Sequence, residues 1–451
     1  MLLTEDIQLN KVWKKDIFYN NSKLIVRTKY LIGGIALRKS YIMFFAILFV
    51  FFSILIGCSP QIDDSSSSSS SDSSSEGSSS SSEGSADSGD GDTFNIGLAI
   101  SMTGGTAMFG EAVKRGVDLA INDFNEAGGY EGKKANLVLY DDEAKPEVSV
   151  EIVQKLINQD DIVALIGPAN SGNAMAHIQF AQDAKIPEVI PVATGTQITQ
   201  EFKDEDKNYI FRVAPLDGIQ VSAILKELVE NQGLTKLGVI HDTEGYGQGG
   251  RDDIVQQMKE KYDLEPAVIS AFDPRELNLE PSIRDMNNAG VEAVIFYGLA
   301  PQSAKLLEAR YNVGLDAPIY ATWATGDPTV VDLVGDLVVE DVYFVQSFTI
   351  DQSDKAKAFH ERVVDTYGED IFPIATAQGY DSAKLILDAI KEVGLNGEDI
   401  RDKIESFTDF EGVTAIKSQP FTKDNHEAFG IDEVFIAEYN ENLEIIKANL
   451  D

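Results

Sequence analysis

The chain has only one cysteine and four histidines among its 451 residues. A single cysteine cannot form a disulfide within the chain, so the fold must be stabilised by a large apolar core. The histidines are widely scattered and show no metal-ligand spacing. We therefore predict neither a metal site nor a cofactor. The four histidines are His177, His241, His360 and His426.

Basic residues are also scarce. Lys and Arg number 37 against 74 Asp and Glu, which gives a formal net charge of −37. Residues 1–57 contribute eight Lys and Arg and three Asp and Glu, so residues 58–451 have a net charge of −42. Such a field repels nucleic acid and anionic membrane surfaces, and it argues against nucleic-acid binding as the function.

The chain has one long apolar run, Tyr41–Gly57, and the single cysteine, Cys58, follows it directly. Arg38 and Lys39 precede the run. A basic flank, an apolar stretch and a small residue at the end are the features of an export signal. The residues Leu55–Cys58 (LIGC) look like a bacterial lipobox, so we predict that Cys58 becomes the lipid-carrying first residue. A free or buried cysteine and an uncleaved membrane anchor are the alternatives.

The predicted signal divides the N-terminal part of the chain. Residues 1–57 are interpreted as an extension followed by the signal peptide. The basic region of that extension is too long for an export signal, so Leu37 is a candidate initiator, with a genuine cytoplasmic extension as the alternative. Residues 58–93 are rich in Ser, Asp and Glu, with almost no apolar surface to bury. They are predicted to form a disordered tether that lets a folded body reach away from a membrane.

From Phe94 onward, short apolar runs typical of strands alternate with amphipathic helical patterns, and the series restarts after Pro215. This alternation predicts an α/β fold of two similar doubly wound lobes with parallel central sheets. Ligands of such sheets bind beyond the carboxyl ends of the strands, so a cleft between the lobes is the expected site.

The later part of the chain must then be shared between the lobes. We assign the first lobe to 94–214 plus 348–419, and the second lobe to 215–347 plus 420–451. Three chain crossings form the predicted hinge. We place the crossings near 214–217, 346–349 and 418–421, and we expect late strands near 412–417 and 431–439.

Three segments, taken in order and spacing, carry a resemblance to a known family. They are Gly97–Gly110 (GLAISMTGGTAMFG) with Gly116 and Asp123–Gly129 (DFNEAGG), Ile166–Ser171 (IGPANS) with Pro191–Thr194 (PVAT), and Val239–Gly247 (VIHDTEGYG). Together they resemble the branched-chain-amino-acid-type solute-binding proteins of ABC importers, a type I periplasmic-binding-protein family. The resemblance covers essentially all of 94–451.

The resemblance implies a set of ligand-binding residues. Ser171 matches a ligand-binding serine of the family, and its place between a strand and a helix suits a carboxylate. Val192 matches a position that offers main-chain groups, and Thr194 matches one that offers its hydroxyl. Phe109 and Tyr246 match aromatic residues at the mouth of the pocket and on the second lobe. From the residues alone, Ser171 could equally be an ordinary helix N-cap.

One position departs from the family. Amino-acid-binding members carry a glutamate for the ligand ammonium where this chain has Trp323. Either Asp327 takes that role from nearby, or the ligand has no amine, since a buried ammonium without a counter-charge is costly. The face of Trp323 suits a cation or an aromatic ring. Tyr380 is a further candidate, which could instead cap its own helix.

Rival functions find less support. Residues 245–250 fit the dinucleotide pattern G-x-G-x-x-G, but Asp242 and Glu244 lie beside the place of a pyrophosphate. No nucleophile and base pair stands out, so we predict that the protein is not an enzyme. We expect a lipid-anchored, extracytoplasmic receptor that captures a small amino-acid-like or related polar molecule for an ABC permease. A sensory receptor for a signalling partner, or an extracytoplasmic enzyme, is the alternative.

Overall fold

The computed structural model describes residues 92–276, 278–414 and 416–450. Cys58, the predicted signal peptide and nearly all of the predicted tether lie outside the described residues, so these assignments stay predictions. Among the described residues, no helix combines the length and the apolar character needed to cross a membrane.

The first sheet has five parallel strands in the spatial order β2-β1-β3-β4-β5. Its strands are β1 (Thr93–Ile100), β2 (Lys134–Asp141), β3 (Ile162–Ile166), β4 (Glu188–Ile190) and β5 (Ile210–Arg212). The connecting helices are α1 (Ala107–Glu126), α2 (Pro146–Asn158), α3 (Ser171–Ala184) and the short α4 (Gln197–Gln200). Parallel strands need such crossover helices, which is why strand and helix alternate in the sequence.

Both faces of this sheet are covered. Leu98 and Ile100 of β1 belong to one apolar cluster, while Ala99 between them belongs to the cluster on the opposite face. Successive side chains of a strand point to opposite faces, so a strand buried on both sides is a continuous apolar run. This explains why β1 and β3 lack the alternation of a half-exposed strand.

The second sheet has seven strands in the order β12-β11-β10-β9-β8-β6-β7. The helix α5 (Asp217–Leu225) continues into a π-helical turn, Lys226–Asn231, before the sheet begins. Strands β6 to β10 are parallel, and β11 and β12 are antiparallel at one edge. The elements are β6 (Leu237–Asp242), α6 (Gly245–Tyr262), β7 (Val268–Phe272), α7 (Glu280–Ala289), β8 (Ala293–Tyr297), α8 (Ala300–Val313), β9 (Ile319–Ala321), α9 (Pro328–Val334), β10 (Val342–Gln346), β11 (Phe435–Tyr439) and β12 (Ile445–Lys447).

After β10 the chain returns to the first lobe. The helices α10 (Asp354–Tyr367), α11 (Pro373–Val393) and α12 (Gly397–Glu405) follow. Phe359, Ile386 and Ile400 from these helices are buried in the same apolar cluster as Leu98. The predicted α/β class with two lobes and parallel-dominated sheets is therefore confirmed.

The strand expected near 412–417 is wrong for the described residues of that stretch, none of which lies in a strand. The backbone N–H groups of Val413 and Thr414 donate to the carboxylate of Asp381, at 2.7 and 2.9 Å, rather than to a neighbouring strand. The apolar run is real, because Val413 and Ile416 are buried. Its backbone is satisfied by a helix side chain, and an apolar pattern alone does not distinguish this from a strand.

We propose that the third crossing lies later than 418–421. The N–H of Arg212 donates to the carbonyl of His426, and the N–H of Ala428 donates to the carbonyl of Arg212, both at 3.0 Å. These bonds extend the first sheet beside β5. Phe421 and Phe429 are buried in the core of the first lobe. We therefore move the proposed third crossing from 418–421 to the residues after Phe429; the other lobe limits stay predictions.

Candidate ligand-binding site between the two lobes

A small cavity of about 20 Å³ lies where the carboxyl ends of the two sheets face each other. Its walls follow β1, β3 and β4 on the first lobe and β6, β8 and β9 on the second. A volume of this size is that of one water molecule, so the lobes are closed tightly on each other. The wall includes Thr106, Phe109, Ser171, Val192, Thr194, Tyr246, Leu299 and Trp323.

Six of the eight predicted ligand-binding residues meet at this cavity, and two lie elsewhere. The carboxylate of Asp327 caps α9, accepting the N–H of Thr329 at 2.8 Å. The hydroxyl of Tyr380 donates to Asp123 at 2.9 Å, between α1 and α11. Neither residue lines the cavity. Their sequence neighbourhoods looked right, but the side chains are used to fix helices.

Ser171 is the first residue of α3, and it is not the N-cap. That role belongs to Asn170, whose side-chain oxygen accepts the N–H of Gly172 at 2.8 Å. The hydroxyl of Ser171 instead accepts the N–H of Gly195 at 3.1 Å. Ser171 therefore presents a hydroxyl to the cavity at a helix start, where backbone N–H groups and the helix dipole favour an anion.

A buried ion pair between Arg212 and Glu427 fixes the backbone of the loop that carries Thr194. The Arg212 guanidinium donates to the carbonyl oxygens of Ala193 and Gly195, at 3.3 and 2.7 Å, on either side of Thr194. Arg212 is itself fully buried and is bridged twice by Glu427, at 2.8 and 2.5 Å. A buried guanidinium with all these partners fixes the loop backbone, and with it the Thr194 hydroxyl.

The second lobe contributes Tyr246, in the first turn of α6. Its hydroxyl donates to the Thr322 hydroxyl at 2.5 Å, and its ring centroid lies 5.2 Å from that of Tyr297. Burial raises the pKa of Tyr246 well above its usual value. The phenol therefore stays neutral at physiological pH, and because its O–H is donated to Thr322, its oxygen is the part available at the cavity, as an acceptor.

Asp217 is a buried acidic residue behind the cavity wall, and the sequence does not single it out. It is completely buried at the start of α5, and its N–H donates to the carbonyl of Thr194 at 2.8 Å. Its Oδ2 has no well-formed hydrogen bond among the described residues, although the hydroxyls of Thr194 and Tyr297 lie near it. Burial, reinforced by the charge of Asp253, raises the pKa of Asp217 to about 7.

Little in the sequence marks Asp217 as buried. Acidic residues are common in the first turn of exposed helices, where they complement the helix dipole. The only available signal was its position two residues after Pro215, at the first predicted crossing between the lobes. Asp217 itself does not line the cavity, but its carboxyl group lies near the side chains of Thr194 and Tyr246, which do.

Trp323 follows β9 on the second lobe, but its ring packs into the first. Its backbone N–H donates to the side-chain oxygen of Gln220 at 3.1 Å, and this bond fixes the Trp323 backbone on the second lobe. Its ring lies edge-on to Phe109, with centroids 5.1 Å apart, and Phe109 in turn contacts Phe372 at 4.8 Å. Trp323 belongs to the apolar cluster of the first lobe and is 2% exposed.

Two further contacts join the lobes beside the cavity. The Thr196 hydroxyl, on the Thr194 loop, donates to Asp253 of α6 at 2.6 Å. Gly172 and Gly245, at the starts of α3 and α6, approach so closely that a Cβ on Gly245 would lie 3.2 Å from the Gly172 Cα. The two helix starts therefore face each other across the cleft.

The glycines of the pattern at 245–250 serve this packing. A Cβ on Gly250 would lie 2.1 Å from the ring of Tyr297, and one on Gly247 would lie 2.5 Å from the backbone of Asp242. Both positions are needed to seat α6 on β6 and β8. The pattern is thus explained without a pyrophosphate.

Two lobes built on parallel-dominated sheets, with a polar and aromatic cleft between the strand ends, define a two-lobe binding protein. The chain belongs to the periplasmic binding protein family: residues 93–443 match the model of the family described as "Periplasmic binding protein". This confirms the resemblance noted from the motifs. Members of this family bind solutes outside the cytoplasm and are not enzymes.

Individual relatives agree with this assignment. The "Leucine-, isoleucine-, valine-, threonine-, and alanine-binding protein" of Pseudomonas aeruginosa is 26% identical over 306 residues, which are 67% of this chain and 79% of that protein. An "Amino acid binding protein" of the same organism is 30% identical over 222 residues, 49% of this chain and 58% of that protein. The crystal structure of a periplasmic binding protein type 1 from Bordetella pertussis superposes with a TM-score of 0.72 at 24% identity, covering 80% of this chain and 100% of that one.

Proposed function

We propose that the protein is the solute-binding component of an ABC importer and that it captures an α-amino acid between its two lobes. Lipid attached to Cys58 would hold it at the outer face of a membrane, close to a permease. The names of the two Pseudomonas relatives support an amino acid as the ligand. The residues of the cleft support it independently.

The observation that carries the proposal is the buried carboxylate of Asp217. Its Oδ2 has no well-formed bond among the described residues, and it lies beside two cavity residues, Thr194 and Tyr246. A buried carboxylate is costly unless a positive group compensates it. An ammonium group entering between Thr194 and Tyr246 would supply that charge. Asp217 thus takes the role that the sequence comparison sought at Trp323 and Asp327.

The carboxylate of an amino acid would bind at a different part of the cavity from its ammonium group. The Ser171 hydroxyl and the first turn of α3 face the cavity from the first lobe. A carboxylate there is favoured by the helix start and by a neutral hydroxyl donor. In the proposed pose, the carboxylate of the ligand lies at Ser171 and its ammonium lies between Thr194 and Asp217.

Capture then follows from lobe movement. The cavity of about 20 Å³ cannot admit an amino acid, so the lobes must separate before the ligand enters. The ligand docks on the first lobe and closure brings Tyr246 over it, by rotation at the crossings. The ligand favours the closed form only as far as it binds that form better than the open one. The permease would recognise the closed form.

The experiment is a calorimetric titration of the full-length protein with matched ligands that share one carbon skeleton. L-alanine and L-valine carry both charges, their 2-oxo acids lack the amine, and the corresponding alkylamines lack the carboxylate. We expect binding of the amino acids alone. Equal affinity for a 2-oxo acid would refute the role of Asp217, and no binding of any α-amino acid would refute the proposed function.

A further inference from the structure

The cavity has a polar side and an apolar side. Ser171, Thr194 and Tyr246 supply hydroxyl groups, whereas Phe109, Leu299 and Trp323 supply apolar surface. An amino acid whose charged groups bind on the polar side must direct its side chain towards the apolar side. The residues there decide which side chains fit.

Trp323 is the largest of these residues and the one that crosses the cleft. Its backbone is fixed on the second lobe by Gln220 at 3.1 Å, and its ring is buried in the apolar cluster of the first lobe. The ring contacts Phe109, which is supported from behind by Phe372. The three rings form a continuous packed row, so Trp323 cannot move deeper into the first lobe when a ligand is present.

The cavity holds about one water molecule, so any bound amino acid keeps the lobes somewhat further apart than in this structure, and a larger side chain keeps them further apart still. A side chain that reaches the Trp323 ring would keep it away from Phe109 and hold the lobes apart. Incomplete closure would also lengthen the bond between Thr196 and Asp253, which is 2.6 Å in the closed form. A bulky ligand thus loses contacts between the lobes as well as its own fit. The side chain of alanine has one carbon, whereas those of leucine and phenylalanine have four and seven, so alanine requires the smallest separation of Trp323 from Phe109.

We infer that Trp323 sets an upper size limit on the ligand side chain, so that the site selects α-amino acids with small apolar side chains over leucine and phenylalanine. This inference rests on the proposed function, because it assumes an α-amino acid held at Ser171 and Asp217. Trp323 acts as a specificity residue and takes no part in binding the two charged groups.

The test is the affinity of the full-length protein for L-alanine, L-valine, L-leucine and L-phenylalanine, measured by calorimetry in three forms of the chain. These are the unmodified protein, Trp323→Ala and Trp323→Leu. One methylene that does not fit changes affinity about 10- to 200-fold. We therefore expect the unmodified protein to prefer L-alanine over L-leucine by at least about 100-fold, and Trp323→Ala to reduce that ratio by at least about tenfold.

A control separates size selection from general loosening of the fold. Phe94 is a buried aromatic residue at the amino end of β1, opposite the strand ends that form the cleft. Phe94→Leu removes core packing of the first lobe without changing the cavity wall, so it should lower the melting temperature and leave the alanine-to-leucine ratio unchanged. Trp323→Leu provides a milder change should Trp323→Ala not fold.

The outcomes are distinct. Affinity for leucine or phenylalanine equal to that for alanine overturns the size limit, and so does an unchanged ratio in both Trp323 variants. In those cases the proposed amino-acid receptor still stands. Absence of binding by all four amino acids overturns the proposed function itself.

Discussion

Replacing Asp217 by asparagine separates ligand recognition from folding, because we expect the replacement to weaken ligand binding and to stabilise the unliganded fold. Burial raises the pKa of this carboxyl from 3.8 to about 7. The folded protein therefore binds the Asp217 proton more tightly than the unfolded chain. Its contribution to the free energy of unfolding is most favourable below about pH 4 and declines as the pH rises to 7.

The size of this effect on the free energy of unfolding follows from the pKa shift of Asp217. One pKa unit corresponds to about 1.4 kcal/mol, so the ionised Asp217 costs the unliganded protein up to about 4 kcal/mol above pH 7. Asp217→Asn has the same shape and no charge. We expect it to raise the melting temperature of the unliganded protein at pH 7.5 and to leave it nearly unchanged near pH 4.

Ligand affinity should change in the other direction. Removing one partner of a buried charge pair costs about 2–5 kcal/mol, so Asp217→Asn should weaken L-alanine binding at pH 7.5 by about 30-fold or more. In the unmodified protein the ammonium requires ionised Asp217. Affinity should then fall about tenfold for each pH unit below 7, and this dependence should disappear in Asp217→Asn.

Calorimetry between pH 5.5 and 7.5 measures the affinity for L-alanine, and thermal unfolding measures the melting temperature. Asp381→Asn is the matched control: Asp381 is fully buried, its pKa is also raised by burial, and its partners are the N–H groups of Val413 and Thr414. Asp381→Asn should leave the pH dependence of binding intact. If Asp217→Asn lowers the melting temperature at pH 7.5 and the pH dependence persists, the reasoning is refuted and Asp217 is a structural residue.

Two other predictions concern the supports of the site, and a third concerns the membrane anchor. Arg212→Gln and Glu427→Gln should each lower the free energy of unfolding by about 3–5 kcal/mol, and urea denaturation of the double variant should show a loss well below the sum; additive losses would mean that the two residues act independently. Thr196→Val removes the bond to Asp253 between the lobes, together with the hydroxyl that accepts the N–H of Gly218 at 2.9 Å. It should speed ligand dissociation about 2- to 10-fold in stopped-flow measurements and lower the melting temperature slightly; an unaltered rate would show that the bond to Asp253 does not hold the closed form. Cys58→Ser should release the protein from the membrane fraction, whereas continued retention would indicate an uncleaved membrane span.

The sequence was informative wherever a local pattern reports a local structure. The strands β1 and β3 are continuous apolar runs, and the helices that follow them have clear periodicity, so the α/β class and the order of elements were predictable. The strands β5 and β12 carry little signal of their own, because each has only three residues. The stretch after Gly412 was misread because its N–H groups bond to Asp381, a residue more than 30 positions away.

The residues at the cavity also differ in whether a local sequence motif marks them. Ser171, Val192, Thr194 and Tyr246 lie in motifs at strand ends, where the resemblance and the rule for parallel sheets agree. Asp217 has no such motif, because its burial arises only when the loop of Thr194 and the first crossing meet. Trp323 was noticed as a departure from the family, but its contact with Phe109 spans two lobes and more than 200 residues of chain. Such a contact cannot be read from local sequence.

The most direct test of the whole account is the affinity of Ser171→Ala combined with Thr194→Ala for L-alanine, measured by calorimetry on the full-length protein. A hydrogen bond to a charged group contributes about 1.5–3 kcal/mol, so losing two should weaken binding by at least about 100-fold. The matched control is Thr366→Ala with Ser382→Ala, whose hydroxyls bond only to the backbone of their own helices. The account predicts a large loss of affinity in the first pair alone, with similar melting temperatures in both. An affinity for L-alanine within about threefold of the unmodified protein would contradict it.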